Sequence, residues 1–297
     1  MTTNATAQLE RISNAQGFIA ALDQSGGSTP KALASYGVDA AAWTTEAEMF
    51  DLVHAMRARI MTSPAFTGDR IVGAILFEQT MDCEVEGLPT ADYLWTRKNV
   101  VPFVKTDVGL ADETNGVQLM KDNPGLPALL QRATAKGIFG TKMRSVVQSA
   151  NPAGVDSLVA QQFQVGNQII DAGLMPIIEP EVNIEASDKA AAEDLVLQAI
   201  TRELDGLGDR RVMLKLTLPE TAGHYASLVA HPNVVRVVAL SGGYDLDESC
   251  SRLAQNAGTI ASFSRVLTNG IHADQPQDEF DTTIASTIEK IFEASIT

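Results

Sequence analysis

Short apolar segments recur along the chain, and each is followed by polar residues and then by a helical or loop segment. Within a segment the apolar residues are nearly continuous, which is typical of strands that are covered on both faces in a parallel sheet. The sequence therefore predicts eight buried strands, at residues 17–22, 71–77, 100–104, 137–141, 175–178, 211–214, 234–240 and 259–263.

The segments between these strands show helical periodicity where the pattern is clear. Thr45 and Glu48 have the spacing of a capping box, in which two side chains satisfy free N–H groups at a helix start. The residues that follow at helical spacing are apolar: Met49, Val53, Met56 and Ile60. Similar stripes occupy residues 158–170 and 197–204, and a glycine follows each where a helix would end.

This alternation predicts an α/β fold, namely a single (β/α)8 TIM barrel in which residues 1–297 form one domain. A barrel of roughly 250 residues is commonly one domain. An open doubly wound sheet is the alternative. It is weakened because no Gly-rich dinucleotide-binding motif opens the first helix.

Composition and charge exclude several classes of partner. The net charge of −15 argues against nucleic acid, which proteins bind with clustered Lys and Arg. No apolar run approaches the roughly 20 residues that cross a bilayer, and the N-terminus lacks the pattern of a signal peptide. We therefore expect no membrane partner and a cytoplasmic location. Two cysteines and four histidines, all far apart in sequence, predict reduced thiols, no metal site and no cofactor.

Polar residues follow the predicted strands at the end where a barrel carries its active site, the C-terminal ends of the strands. A single charged residue there is usually solvated or ion-paired, but a series that converges on one rim favours a functional site. In strand order, the candidates are Asp23, Lys105, Lys142, Arg144, Glu179, Glu181, Lys215, Ser241, Gly242 and Arg265.

Lys215 gives the sharpest indication, because it lies within the apolar run 212–218. A lysine in a buried strand must be paired or have a lowered pKa, and the neutral amine is a nucleophile toward carbonyl groups. Glu179 on the neighbouring strand and Asp23 on the first strand are candidate acid/base groups. Structural ion pairing of these carboxylates with Lys142 or Lys215 is the alternative.

Two Gly-rich turns, at residues 25–28 and 241–243, are candidate anion sites, because glycine lets backbone N–H groups curl around an anion. The loops after strands seven and eight of a barrel often bind phosphate, and Arg265 would complete such a clamp. Lys105 and Arg144, across the rim, are candidates for a second phosphate. The pattern thus favours a bisphosphate substrate, captured by a cationic rim on an acidic protein.

Seven short motifs occur in the chain in the following order: AALDQSGGS at 20–28, GAILF at 73–77, FGTKMR at 139–144, PIIEPE at 176–181, LKLT at 214–217, LSGG at 240–243 and FSR at 263–265. In this order the motifs resemble those of class I fructose-1,6-bisphosphate aldolases, in particular the shorter bacterial branch. The resemblance runs along all eight predicted strands.

The resemblance implies reversible cleavage of fructose 1,6-bisphosphate to dihydroxyacetone phosphate and glyceraldehyde 3-phosphate, without a metal. It makes Lys215 the Schiff-base lysine, Glu179 the acid/base glutamate and Asp23 the residue that assists carbon–carbon cleavage. It makes Lys142 and Glu181 auxiliary active-site residues. The implied phosphate-binding residues are Ser241, Gly242 and Arg265 at the ketone half and Lys105, Arg144 and Ser28 at the other end.

The sequence departs from the animal enzymes in this resemblance. Those enzymes end in a tyrosine that helps protonate the enamine, whereas the last tyrosine here is Tyr244, so we expect Glu179 to take that role. Gln24 and Met143 replace a glutamate and a tryptophan, which leaves the choice between the bisphosphate and fructose 1-phosphate open. Family members often form homo-oligomers, although no interface can be identified from this sequence.

Two other functions remain as alternatives. One is a different lysine-dependent aldolase or a transaldolase, which ketol transfer from fructose 6-phosphate would distinguish from bisphosphate cleavage. The other is a non-catalytic barrel that binds sugar phosphates. Borohydride reduction with dihydroxyacetone phosphate separates that function from catalysis, because only an imine is trapped as a covalent adduct.

Overall fold

The strands form a nearly closed ring in which each pairs in parallel with the next from the first to the eighth, and the computed structural model describes residues 3–26 and 28–297. The ring consists of β1 (Phe18–Leu22), β2 (Ile71–Leu76), β3 (Val101–Lys105), β4 (Gly140–Val147), β5 (Met175–Val182), β6 (Val212–Thr217), β7 (Val234–Leu240) and β8 (Thr259–Ala261). A backbone hydrogen bond of 3.3 Å from Ala21 N to Phe263 O joins the two ends. The predicted (β/α)8 barrel is confirmed, and the open sheet is excluded.

Helices surround the ring and connect its strands. They are α1 (Thr3–Asn14), α2 (Ser28–Ser35), α3 (Glu46–Thr62), α4 (Glu78–Asp82), α5 (Thr90–Lys98), α6 (Leu126–Ala135), α7 (Pro152–Asp171), α8 (Lys189–Asp205), α9 (Ala226–Val229), α10 (Leu246–Leu253) and α11 (Gln277–Ser295). A 3-10 helix at Ala40–Ala42 and two-residue strands at Glu84–Val85, Leu88–Pro89 and Val117–Gln118 complete the described elements. None of the helices in the described ranges is long and apolar enough to cross a membrane.

The predicted capping box at the start of α3 is present. The Thr45 side chain accepts a hydrogen bond from the Glu48 backbone N–H, and the Glu48 carboxylate accepts one from the Thr45 backbone N–H. The apolar stripe that follows is buried, as its helical spacing predicted: Met56 and Ile60 join the main core cluster, and Met49 and Val53 pack with Leu33 of α2.

Two apolar layers follow from the alternation of side chains along the strands. Ile19, Ile75, Phe103 and Met213 belong to a cluster inside the barrel, while their strand neighbours pack outward against the helices. Ile12 of α1 joins the inner cluster, so α1 closes the N-terminal end of the barrel. The apolar inner layer therefore fills the lower part of the barrel and leaves the C-terminal ends for polar residues.

Three strands end three or more residues beyond the ends that the apolar runs predicted. The fourth strand begins at Gly140 and ends at Val147, and the fifth and sixth continue to Val182 and Thr217. The predicted bounds 137–141, 175–178 and 211–214 were wrong because charged residues were taken as the ends of strands. In the structure these charged side chains point into the barrel, where they pair with one another. At the fourth strand the start was also too early, since Gly137 has a φ of +75° and belongs to a turn.

Candidate active site

Strand alternation brings the predicted charged residues together inside the C-terminal end of the barrel. Asp23 continues the inward series of Ile19 and Ala21 on β1, and Glu179 continues that of Ile177 on β5. By the same two-residue period, the inner face also receives Lys105, Lys142, Arg144, Glu181 and Lys215. The apolar inner layer below them excludes water from one side of the site.

Lys142 is the centre of this cluster. Its Nζ atom lies 2.6 Å from Oδ2 of Asp23 and 3.0 Å from Oε2 of Glu179, and all three side chains are buried. Burial alone would lower the pKa of Lys142, but the charges of Asp23 and Glu179 outweigh it and the pKa is raised. Lys142 therefore stays protonated between two carboxylates.

Asp23 shows the complementary effect. Burial alone would raise the pKa of its carboxyl group, but the charges of Lys142 and Lys215 outweigh burial and the pKa is lowered. Asp23 is therefore ionised at neutral pH.

Glu179 connects Lys142 to Lys215. The Nζ atom of Lys215 lies 3.1 Å from Oε1 of Glu179, and only 4% of Lys215 is exposed, so this side chain faces the barrel interior. Gln162 of α7 fixes the backbone of Glu179 with two 2.9 Å hydrogen bonds, one to its carbonyl and one from its N–H. An amine, a carboxylate, a second amine and a second carboxylate thus form a continuous buried chain.

A second group of charges lies on β3 and β4. Lys105 Nζ is 2.7 Å from Oδ1 of Asp107, and the other carboxylate oxygen of Asp107 accepts a hydrogen bond from the Arg144 backbone N–H. Arg144 Nε donates to Glu181. Burial alone would lower the pKa of Arg144, but the hydrogen bond and charge of Glu181 raise it. These pairs hold two cations at one side of the site opening.

The loop after β7 lies across the ring from these cations. Gly242 and Gly243 have φ values of +65° and +140°, and Ile184 packs against both. A Cβ atom built on Gly242 would lie 2.6 Å from Cγ2 of Ile184, so glycine is required there for two independent reasons. Arg265 Nη2 lies 3.9 Å from the position of a Cβ on Gly243, and the Arg265 side chain is exposed. The guanidinium and the glycine loop therefore face the same space.

The other predicted anion site, at residues 25–28, is described only in part. Gly26 has a φ of +54°, while Gly27 and the side chain of Ser28 lie outside the described residues. The prediction for Ser28 therefore stays a prediction.

The sequence predicted reduced thiols and no metal site. Within the described ranges, no group of three or more His, Cys, Asp or Glu side chains is arranged to hold a metal ion. Cys83 and Cys250 are free, and burial raises the pKa of the Cys250 thiol to about 11, which makes it a poor nucleophile at neutral pH.

The sequence did not assign site roles to Asp107, Gln162 and Arg57. Asp107 follows Lys105 by two positions, so strand alternation puts both on one face. Gln162 was placed in the buried stripe of α7, where a polar side chain needs a partner. Arg57 follows Val53 by four positions and therefore shares the buried face of α3, a signal that could have identified it.

Comparison with known proteins gives three findings. The family model for fructose-bisphosphate aldolase class-I, a glycolytic family, matches residues 4–236. The chain is 57% identical over 291 residues to a protein of Synechocystis sp. named fructose-bisphosphate aldolase class 1, and the match covers 98% of this chain and 97% of the relative.

The third finding concerns the fold. The fructose-bisphosphate aldolase of Plasmodium falciparum, solved in a ternary complex with TRAP and a small-molecule inhibitor, is similar to this chain with a TM-score of 0.74. The sequence identity is 20%, and the match covers 98% of this chain and 92% of the other. At this identity the likeness supports the architecture of the barrel, whereas the first two findings concern the family.

Proposed function

The chain belongs to the family of class I fructose-bisphosphate aldolases, which act through a lysine Schiff base, and we propose which of its residues perform the reaction. The reaction is the reversible cleavage of fructose 1,6-bisphosphate to dihydroxyacetone phosphate and glyceraldehyde 3-phosphate. The observation that carries the assignment is the buried contact of Lys215 with Glu179, 3.1 Å apart, at the C-terminal end of the barrel. We assign the Schiff base to Lys215.

The first stage is formation of the imine. The Lys215 amine attacks the C2 ketone, and the resulting carbinolamine loses water to give a protonated imine. Glu179 is in contact with the amine, so it can take a proton from Lys215 and deliver one to the departing hydroxyl group. This double use requires a carboxyl group held at a fixed position, and the two hydrogen bonds between the Gln162 side chain and the Glu179 main chain fix the backbone that carries it.

The second stage is cleavage of the C3–C4 bond. The bonding electrons move into the protonated imine, and the C4 hydroxyl loses its proton as the aldehyde forms. Asp23 is the acceptor in this proposal, because it is ionised at neutral pH and lies beside Lys142 inside the barrel. Lys142, 2.6 Å away, stabilises the charge that develops around the C4 oxygen.

The third stage returns the enzyme to its free form. Protonation of the enamine at C3 restores an imine, and water then releases dihydroxyacetone phosphate and the free amine. We propose that Glu179 donates this proton, since it already contacts the nitrogen. Glu181 is an auxiliary residue in this scheme because it orients Arg144 instead of reaching Lys215.

The two phosphates occupy opposite sides of the opening in this proposal. Ser241, Gly242 and Arg265 bind the phosphate of the ketone half, with backbone N–H groups and a guanidinium. Lys105 and Arg144, with Ser28, bind the other phosphate. Arg144 uses Nε on Glu181, and in the part of the chain that the structure describes its terminal nitrogens have no other partner.

The location and partners of the enzyme follow from its family and charge. We propose a cytoplasmic enzyme, in line with its similarity to a glycolytic family, with sugar phosphates as its ligands. The charge of −15 argues against nucleic acid as a partner. A homo-oligomer stays a prediction, and light scattering of the purified protein would measure it.

Trapping of the imine tests the central assignment. Reduction with borohydride in the presence of dihydroxyacetone phosphate is expected to leave a covalent adduct on the peptide that contains Lys215. The Lys215→Ala variant is expected to give no adduct and no cleavage, with a loss of kcat of roughly 10⁴-fold or more. An adduct on another lysine, or substantial turnover by the variant, would overturn the assignment.

A further inference from the structure

Arg57 has the largest fully buried side chain among the described residues, and the mechanism above does not use it. Only 1% of this α3 residue is exposed. Its Nη2 atom donates a 2.5 Å hydrogen bond to the carbonyl of Gln24, and Nη1 donates one of 2.8 Å to Oγ1 of Thr80. Both acceptors are uncharged, so a buried cation is held by neutral groups.

This arrangement is unfavourable for stability alone. Burial lowers the pKa of Arg57 to about 10, and Asp23 is the carboxylate whose charge opposes that effect. Its Nε atom has no hydrogen-bond partner within the described residues. A buried cation without an ion pair costs free energy, so its presence calls for a reason other than packing.

The two acceptors indicate that reason. Gln24 directly follows Asp23 in a segment without regular secondary structure, and Thr80 lies in α4, just beyond the end of β2. Arg57 therefore joins the main chain next to Asp23 to the neighbouring strand end. On the other side, the Gln24 side chain donates a 2.8 Å hydrogen bond to Ser264, which follows β8.

These hydrogen bonds connect the segment at Gln24, which follows β1, to the ends of both strands that flank β1 in the ring, β2 and β8. We propose that Arg57 is a positioning residue that holds the Gln24 carbonyl so that the Asp23 carboxylate faces Lys142 and the substrate. The inference rests on the role proposed above for Asp23. Arg57 itself touches neither the substrate nor Lys215, and it acts through the main chain of the loop.

The inference predicts a defect in one stage of the reaction only. In Arg57→Met, displacement of Asp23 is expected to lower kcat for bisphosphate cleavage on the order of 100-fold, with little change in KM. Borohydride trapping of dihydroxyacetone phosphate on Lys215 is expected to persist, because imine formation does not use Asp23. Arg57→Lys keeps the positive charge but replaces the two donor nitrogens by one, and it is expected to recover part of the lost kcat.

Arg236 offers a matched control at the opposite end of the barrel. This partly buried arginine also donates to neutral groups, with Nε 2.9 Å from the Ile12 carbonyl and Nη2 2.8 Å from the Ser13 carbonyl. Arg236→Met is expected to lower the thermal midpoint and leave kcat unchanged. Thr80→Val removes one acceptor of Arg57 without removing the charge, so it provides a milder variant should Arg57→Met not fold. Thr80→Val is also expected to lower kcat, by less than Arg57→Met does.

A double-mutant cycle decides whether Arg57 acts through Asp23. In the Asp23→Ala background, Arg57→Met is expected to lower the single-turnover cleavage rate no further. A full additional loss in that background, or equal losses of cleavage and trapping in Arg57→Met alone, would overturn the inference. Failure of the wild type to form the adduct is a separate result, which would overturn the proposed function instead.

Discussion

The Nζ atom of Lys142 lies 2.6 Å from Oδ2 of Asp23, and both side chains are almost completely buried. The lysine comes from β4 and the aspartate from the end of β1, so the contact spans the interior of the barrel. Two buried ions of opposite charge stabilise each other only as long as both are present. This mutual dependence gives two of the predictions below.

Removal of the lysine is expected to destabilise the fold. Lys142→Met leaves Asp23 buried without its partner, and the free energy of unfolding is expected to fall by about 3–5 kcal/mol. The double variant Lys142→Met/Asp23→Leu removes both charges and is expected to recover most of that loss. Urea unfolding measures both changes.

A control separates this effect from the loss of an ordinary ion pair. Arg202 and Asp156 form a pair with exposed side chains, and Arg202→Met is expected to change stability little. An unfolding midpoint in Lys142→Met equal to that of the wild type would contradict the buried pairing.

The pH dependence of stability follows from the lowered pKa of Asp23. The folded-state pKa lies below that of the unfolded chain, about 3.9, so the carboxylate contributes stability above pH 4. That contribution is lost as the pH falls below 4 toward the folded-state pKa. Between pH 7 and pH 3 the wild type is therefore expected to lose more stability than Asp23→Asn.

The contribution of Lys142 to stability depends on pH in the opposite direction. Its pKa is raised in the folded state, so its contribution is complete below about pH 10 and is lost only as the pH rises further. Equal losses of stability in Asp23→Asn and the wild type between pH 7 and pH 3, measured by urea unfolding, would show that Asp23 does not carry the effect.

The sequence could predict the barrel because apolar runs and helical stripes are local patterns. It also predicted that Lys215 is buried, because this lysine lies within the apolar run 212–218, and the structure buries its side chain. Strand ends were less accurate on β4, where the inward-facing charges at Lys142 and Arg144 look like loop residues. Their partners lie on other strands, and a local sequence pattern does not predict a contact between residues so far apart in the chain.

The supporting residues were harder to predict for the same reason. Arg57 donates to the main-chain carbonyl of Gln24, and a sequence does not indicate which main-chain carbonyl a side chain will contact. Asp107 was seen at a strand end, but its bond to the Arg144 N–H requires the register of two strands. A buried lysine in an apolar strand can thus be found from sequence, whereas hydrogen bonds to the main chain need the coordinates.

Gly242 gives a prediction for the loop after β7. Gly242→Ala combines a positive φ, which costs about 1–2 kcal/mol for other residues, with a clash against Ile184. The loop is expected to shift away from Arg265 and to raise KM for the bisphosphate about tenfold or more, with a smaller effect on kcat. Steady-state kinetics measures KM and kcat separately.

Gly208 is the matched control for Gly242. Its φ is +61°, close to that of Gly242, but a Cβ atom there would meet nothing within 4 Å. Gly208→Ala is expected to cost similar stability and to leave KM unchanged. If Gly242→Ala also left KM unchanged, the loop would have no role in phosphate binding.

Salt is expected to weaken substrate capture at the rim and to leave the chemical steps nearly unaffected. Arg265 is exposed in a protein of charge −15, and the range of its field falls from about 30 Å at 0.01 M salt to about 10 Å at 0.1 M. KM should therefore rise with ionic strength while kcat stays constant, because Lys142, Glu179 and Lys215 are buried. Arg265→Gln should raise KM about 10- to 100-fold and reduce this salt dependence.

Arg210→Gln is the charge-matched comparison for that variant. Arg210→Gln changes the net charge by the same amount as Arg265→Gln. Arg210 lies just before β6, at the opposite end of the barrel from Arg265, where it pairs with Asp171. If KM responded equally to both substitutions, overall charge would govern capture. A KM independent of salt in the wild type would exclude electrostatic capture by the rim, because an exposed guanidinium that binds phosphate is always subject to screening.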